Sequence, residues 1–399
     1  MGISLVLFLC ASLLGLPPHT AESLLEGNPG STVRSAVTAI DRNYLRAQTN
    51  PAWKEAKRKL LAGEYGSAGQ AYQALAAELA RVHDPELYLV NAEEFRARQE
   101  ELDAERVGTG LPTFAIDWDR ATGEARVVTP LGDSPAARAG IRPRDLIVSI
   151  NGRPTKSMSH QQVINALGVQ ARGKVRLVIR RGWRTWGLTL EPSERPFNAV
   201  QYSRRFIGGA AIGYIRVLLF TPYAGEQVQE AVEQLRREGV EGYVLDLRNN
   251  PGGLLSSAER TASVFTAGVL GTEVQGRGEA KRLLTHRAPV TGKPLIVLIN
   301  GGTASAAEVL ASGLRDLHRA VLVGTPTFGR GQTQKYVPLT DGYGVMVPTA
   351  EIHTLRGRPL KREGVRPDLE VGRNFVSEQE IATRRDAQFR QAVAVLTRS

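Results

Sequence analysis

Residues 294–317, PLIVLINGGTASAAEVLASGLRDL, decide the fold. The apolar PLIVLIN reads as a strand, GGTAS as a turn and AAEVLASGLRDL as a helix. The same alternation surrounds this stretch. AAIGYIRVLLF (210–220) reads as a strand. Thr221 and Pro222 then stand where a helix takes its N-cap and first residue. Val228, Val232 and Leu235 line one face of that helix, and Gly239 ends it. GYVLDL (242–247) is a buried strand, so the pair forms one right-handed βαβ unit. AVLVG (320–324) is a further strand. Residues 194–375 are therefore expected to form an α/β domain. SEQE (377–380) has the spacing of a capping box for a final helix within 376–399.

Upstream the pattern changes twice. TVRSAVTAIDRNYL (32–45) and GSAGQAYQALAAELARV (66–82) space apolar residues at three and four, so residues 22–106 are expected to be helical. Residues 107–193 mix short strands with turns. Ser134-Pro135 opens a short helix and Gly140 closes it. RPRDLIVSINGRPT is a strand running into an Asn151-Gly152 hairpin turn. SHQQVINALG (159–168) is a helix and KVRLVIRRG (174–182) a strand. This stretch, above all SPAARAGIRPRDLIVSINGRPT (134–155), resembles a PDZ domain in the circularly permuted form found in bacterial proteases.

The chain has 399 residues, enough for two or three domains, and ordinary shares of hydrophobic (42%) and charged (23%) residues. Its formal net charge of +11 describes a cationic surface. Such a surface suits an anionic lipid surface or an acidic partner. No nucleic-acid motif is present, so nucleic acid is not an expected partner. The start, MGISLVLFLCASLLGLPPHTAES, is apolar and uncharged from Ile3 to Leu16. It is short for a bilayer span and reads as a secretory signal, residues 1–21, cleaved near Ala21. Retention as an anchor is the alternative, because no Lys or Arg follows Met1 and His19 is large for its position. Cys10, the one cysteine, lies inside this segment, so a cleaved chain has no disulfide and no thiol chemistry. Leu9 stands where a lipoprotein signal needs a small residue.

Chemistry is concentrated in three turns. In INGGTASAAEV the strand ends in glycines and opens a helix, which presents backbone amides and a positive helix end near Ser305. Taken alone, Ser305 is as well explained as a capping serine. In LDLRNNPGGLL, Gly252 and Gly253 let the backbone approach a ligand closely. Their amides, with that of Ala306, suit an oxyanion hole.

DLRNNPGG (246–253), GGTASAAE (301–308) and TFGRGQTQ (327–334), closed by GVRPDLEV (364–371), together resemble the carboxy-terminal processing proteases, also called tail-specific proteases. With AEEFRARQEE (92–101) and the PDZ-like stretch, the resemblance runs from about Asp84 to Leu396. It implies a crotonase-like α/β core with a PDZ domain and a helical N-terminal region. It implies endopeptidase activity on proteins selected by their exposed C-terminal tails, with no metal and no organic cofactor. The family's serine nucleophile maps to Ser305. Its oxyanion amides map to the Gly252-Gly253 turn and Ala306. Glu308, Asp316 and Thr327 match polar positions that order the site. In the PDZ-like stretch, the carboxylate-binding loop maps to GTGLPTF (108–114), with Gly110, Leu111 and Phe114 at the peptide groove.

The general base departs from the pattern. The family places a lysine in the glycine turn where this chain has Arg330, and Gln334 matches the glutamine that holds that base. A lysine amine loses its proton when burial lowers its pKa. A guanidinium stays charged and offers only donors. Other bases fit poorly. Lys335 is about 16 Å from position 330 along an extended strand and faces the opposite side. His318 lies near the far end of the helix after Ser305, and His353 belongs to a strand of unknown placement. Two readings follow: an exported serine endopeptidase, or an inactive relative that binds tails through its PDZ domain. An acyl-CoA enzyme of the crotonase type is a third, resting on fold alone. Export places the protein in a periplasm, in a thylakoid lumen or on an extracytoplasmic membrane surface. Oligomeric state is not legible.

Overall fold

The structure is a computed structural model. It describes residues 29–397 except 85, 92–113, 120, 131–133, 159, 168–173, 192–198, 277, 340–342 and 373–379. The signal segment and positions 110 and 111 of the PDZ-like loop thus lie outside the described residues.

Three helices come first: α1 (Pro29–Asn43), α2 (Pro51–Ala62) and α3 (Ala68–Arg81). Asn50 caps α2 by accepting from the Ala52 amide at 2.9 Å, and Ser67 caps α3 through the Gln70 amide at 3.2 Å. Their apolar faces meet around Val37, Ile40, Trp53, Leu60 and Leu75. The region read as helical also contains a strand, β1 (Tyr88–Val90).

The second unit holds β2 (Phe114–Trp118), β3 (Ala125–Pro130), α4 (Pro135–Arg138), β4 (Leu146–Ile150), β5 (Arg153–Pro154), α5 (His160–Leu167), β6 (Val175–Arg181) and β7 (Arg184–Leu190). Its sheet has the order β2-β3-β4-β6-β7, with β5 beside β4. Ser134 caps α4 through the Ala137 amide at 3.1 Å, as its place before Pro135 predicts. Asn151 and Gly152 both have positive φ, 51° and 85°, the conformation an Asn-Gly hairpin turn needs. Ile147, Val163, Leu177 and Ile179 fill the core.

The third unit runs β8 (Val200–Ile207), β9 (Ala210–Val217), α6 (Ala224–Arg237), β10 (Gly242–Asp246), α7 (Leu255–Phe265), β11 (Val269–Gln275), β12 (Ala280–Leu284), β13 (Leu295–Ile299), α8 (Ala306–Asp316), β14 (Val321–Gly324), β15 (Gln332–Pro338), β16 (Gly344–Thr354), β17 (Leu369–Glu370) and α9 (Ala387–Leu396). One sheet has the order β17-β14-β13-β10-β9-β8, parallel except for the β8–β9 pair. Both its faces are covered, as parallel sheets require. Tyr243, Leu245 and Val297 pack with α6, α7 and α8. Val244, Ile296 and Leu298 pack against Phe389 and Val393 of α9.

A second, antiparallel sheet has the order β1-β16-β11-β12, with β15 on β16. Val345 and Val347 of β16 close the helical core, so the N-terminal helices are fastened to this sheet. Two helix starts differ from expectation. The α6 helix begins at Ala224, because a bridge between Phe220 and Gly253 keeps the chain extended up to that turn. The α9 helix begins at Ala387 behind Asp386, whose side chain accepts from the Phe389 amide at 3.0 Å. Most of the SEQE stretch lies outside the described residues, and its last member, Glu380, sits in a turn.

Candidate active site

Ser305 stands between β13 and α8 with φ 54° and ψ −123°. A side chain with Cβ rarely adopts that backbone, and it persists only where its surroundings hold it. They do. The Ala304 amide donates to the Asn250 carbonyl at 2.9 Å. Thr303 Oγ1 donates to the Leu247 carbonyl at 2.8 Å and accepts from the Asn300 amide at 3.0 Å. The Ser305 amide donates to Glu308 Oε2 at 2.8 Å, the return half of a capping box. Among the described residues, no side chain hydrogen-bonds to the Ser305 hydroxyl.

Glu308 joins two of the turns. Its carboxylate is fully buried. Oε1 accepts from the Thr327 hydroxyl and from the Gly329 amide at 2.8 Å. Oε2 accepts from the Arg330 amide at 2.9 Å as well as from Ser305. Burial pushes this carboxyl above its ordinary pKa, against the pull of those four donors. Thr327 also accepts from the Val365 amide at 2.7 Å, which ties in the GVRPDLEV segment. Arg330 is half-buried, and its guanidinium makes no hydrogen bond or ion pair among the described residues.

The third turn approaches from β10. Gly252 has φ +107° and Gly253 +114°. A Cβ on Gly252 would lie 2.8 Å from Ser305 Cβ and 3.0 Å from the Ala306 nitrogen, so only glycine lets the backbone pass here. The Gly252 amide is already used: it donates to Asn250 Oδ1 at 2.8 Å. The Gly252 carbonyl accepts from the Phe220 amide at 2.8 Å. The trans peptide then turns the Gly253 N–H away from Phe220. That N–H and the Ala306 N–H have no protein acceptor among the described residues.

Three asparagines that sequence reasoning missed hold this geometry. Asn249 has φ +58°. Asn300 accepts from the Asn249 amide at 2.9 Å and donates to Asn249 Oδ1 at 2.9 Å. Asn250 donates to the Val217 carbonyl at 2.9 Å. The signal was present as an Asn before each glycine turn, since Asn tolerates positive φ and bonds nearby backbone. Behind them, Arg248 is buried between Asp246 and Asp386, with Nη2–Oδ2 distances of 2.5 and 2.8 Å. Burial alone would raise the Asp246 carboxyl, but the Arg248 guanidinium beside it holds it below its ordinary value.

Asp316 is at the far end of α8, paired with Arg315 at 3.1 Å and Arg356 at 3.2 Å. Gln334 is exposed. The buried glutamine of β15 is Gln332, which accepts from Lys361 Nζ. Burial lowers the Lys361 pKa, and Arg46 adds to the effect. Lys335 and His318 are exposed. His353 lies on β16 opposite Thr272. Phe114 begins β2, paired with Pro130. The PDZ-like unit touches both turns that flank Ser305. Arg126 and Arg144 lie over the Phe328 ring at 5.3 and 5.7 Å. Thr129 and Pro143 pack against Gly302. Among the described residues, no group of three or more His, Cys, Asp or Glu is placed to hold a metal.

Known proteins resemble this chain over most of its length. Residues 211–371 match peptidase family S41, and residues 126–181 match the PDZ domain. The chain is 32% identical over 368 residues to a carboxyl-terminal-processing protease of Synechocystis sp., spanning 90% of this chain and 84% of that protein. It is 31% identical to the chloroplastic carboxyl-terminal-processing peptidase 2 of Arabidopsis thaliana, spanning 86% and 68%. Among solved structures it resembles a photosystem II D1 C-terminal processing protease, with a TM-score of 0.79 and 27% identity over 91% of this chain and 100% of that one.

Proposed function

The chain belongs to peptidase family S41, among the carboxyl-terminal-processing proteases with a PDZ domain, and on that premise we propose that it is an exported serine endopeptidase. It cleaves proteins selected by their exposed C-terminal tails. Ser305 Oγ attacks the scissile carbonyl as its proton passes to solvent water. The C–N bond breaks as the departing amine takes up a proton, which leaves an acyl-enzyme. A second water hydrolyses the acyl-enzyme, releasing the new carboxylate and restoring the serine hydroxyl. The developing oxyanion lies between the N–H groups of Gly253 and Ala306, at the positive end of α8. Of the two glycines, Gly253 is assigned because the Gly252 N–H is committed to Asn250. Glu308 and Thr327 act by position: they hold Ser305 and the glycine turn together. The core is read as crotonase-like.

The carrying observation is the shared acceptor. Glu308 Oε2 binds the amides of both Ser305 and Arg330, which holds the two residues on one carboxylate and supports the reading of residue 330 as the family's base position. The side chain there is a guanidinium, a cation with donors only. It attracts a peptide carboxylate or oxyanion but takes no proton from Ser305, so turnover is slow. The PDZ domain supplies selection. A tail adds to the β2 edge with its terminal carboxylate in the loop 108–114. The test is cleavage of an unfolded protein with a free apolar C-terminus by the purified protein and by Ser305→Ala. Slow cleavage that disappears in the variant supports the reading; equal cleavage by both rejects Ser305 as nucleophile. Export is tested by N-terminal sequencing from the native host. A start between about residues 18 and 27 supports it, and intact Met1 in a cytoplasmic fraction contradicts it.

A further inference from the structure

The β6–β7 hairpin ends in a two-residue turn, Gly182-Trp183, between the paired Arg181 and Arg184. Gly182 has φ +58° and Trp183 does not have positive φ, the pattern of a type II′ turn. The turn itself therefore needs the glycine and not the tryptophan. Trp183 sits at the apex and is 90% exposed, more than any other large hydrophobic residue described. An indole left in water forgoes the stabilisation that burial gives it. Trp186, three residues on, does pack against the core of its domain.

The hairpin is also cationic. From Val175 to Leu190 it carries Arg176, Arg180, Arg181 and Arg184 and no acidic residue. Arg180 is paired with Glu124 and Arg181 with Asp145. Arg184 has no carboxylate partner among the described residues and lies 5.6 Å over the Trp183 ring. An exposed indole with an adjoining guanidinium suits one environment above others. At the headgroup level of an anionic bilayer, the ring leaves water while the cation reaches phosphate. A second copy of the chain meeting the same apex fits less well, because it would bring Arg184 against its own like charge.

We propose that the Trp183-Arg184 apex docks the protein on an anionic lipid surface. The topology leaves peptide binding free. The hairpin strand β7 is one edge of the PDZ sheet, and β2 is the opposite edge. Docking at the apex thus leaves the β2 edge open to a tail.

The experiment is co-sedimentation of the full chain with vesicles of phosphatidylglycerol and phosphatidylcholine, compared with phosphatidylcholine alone. Trp183→Ala, Trp183→Ala/Arg184→Glu and Phe206→Ala are run beside it. All four proteins carry the same residues 1–28, so differences among them report on the substituted sites. Phe206 is the control, a 71% exposed aromatic on another basic strand. The wild type is expected to prefer the anionic vesicles and to lose binding as salt rises. Trp183→Ala is expected to weaken partitioning about tenfold and the double variant further, the scale of one interfacial aromatic and its neighbouring charge. Phe206→Ala is expected to bind as wild type. Unfolding midpoints are expected to match, since Trp183 packs against little. Equal partitioning of wild type and Trp183→Ala overturns the proposal, as does preference for neither lipid. A dimer in solution that Trp183→Ala dissolves overturns it too and assigns the apex to a second copy.

Discussion

The amides of Ser305 and Arg330 share one acceptor, Oε2 of Glu308, at 2.8 and 2.9 Å. The bond runs through the backbone at position 330, so the side chain there can change while the turn stays in place. An arginine side chain is therefore accommodated at position 330 without disturbing Ser305, the glycine turns or Thr327.

Glu308 is the first place to test this. Glu308→Ala leaves the half-buried amides of Ser305, Gly329 and Arg330 without their acceptor, at up to about 1–3 kcal/mol for each group that water does not reach. Glu308→Gln removes the buried charge and keeps part of the hydrogen bonding. The Glu308 pKa is raised by burial, so its contribution to stability is complete below the ordinary carboxyl range and is lost as pH rises through the raised value. The stability of wild type relative to Glu308→Gln is therefore expected to fall with rising pH. Denaturant unfolding at several pH values reads the slope, and a rising difference contradicts the assignment.

Gly252→Ala places a methyl group 2.8 Å from Ser305 Cβ at a φ of +107°. The expected cost in stability is about 1–3 kcal/mol, the range for a strained backbone position. The expected loss in kcat is at least about 10²-fold, the scale of a damaged oxyanion hole. Arg330→Lys is the background in which to measure it, because the rate is predicted to be higher there. An active Gly252→Ala enzyme would show that this turn does not border the reacting carbonyl.

Arg248→Met leaves Asp246 and Asp386 as uncompensated buried charges. Breaking one partner of such a network costs about 3–5 kcal/mol. Because Asp386 caps α9, the loss is expected to free α9 and to expose its amides to hydrogen exchange. A change below about 1 kcal/mol would mean that the network is not under the load its burial implies.

Much of this was legible where the cause is local. Ser134 before Pro135, Asn151 before Gly152 and the apolar run 295–299 each act within a few residues, and the structure follows them. The second sheet was not legible. Tyr88 pairs with Met346, and no local pattern reports a partner so distant in sequence. The start of α9 was missed for a similar reason. SEQE has the better capping sequence, but Asp386 is the residue that Arg248 reaches. Within the site, Ser305, Gly252, Gly253, Ala306, Glu308, Thr327 and Arg330 come together, whereas Asp316 lies at the far end of α8.

The PDZ domain is expected to bind peptides with an apolar C-terminal residue at micromolar or weaker affinity. Pro112 removes one N–H donor from the sequence 108–114 proposed to hold the tail carboxylate. Amidating the peptide's terminal carboxyl is expected to abolish binding, since the loop recognises that charge. Titration of free and amidated peptides against the full chain checks it. Equal affinity for the two rules out carboxylate capture.

The most direct test places an amine at position 330. The rate of casein cleavage is measured for wild type, Arg330→Lys and Ser305→Ala/Arg330→Lys. Arg330→Lys is predicted to exceed wild type by at least about 10²-fold, the contribution of one positioned general base, and the double variant is predicted to lose that gain. A wild type already as fast as Arg330→Lys, losing activity with Ser305→Ala but not with Arg330→Ala, would place the base elsewhere. Cleavage unchanged by removal of Ser305 would contradict the account at its centre.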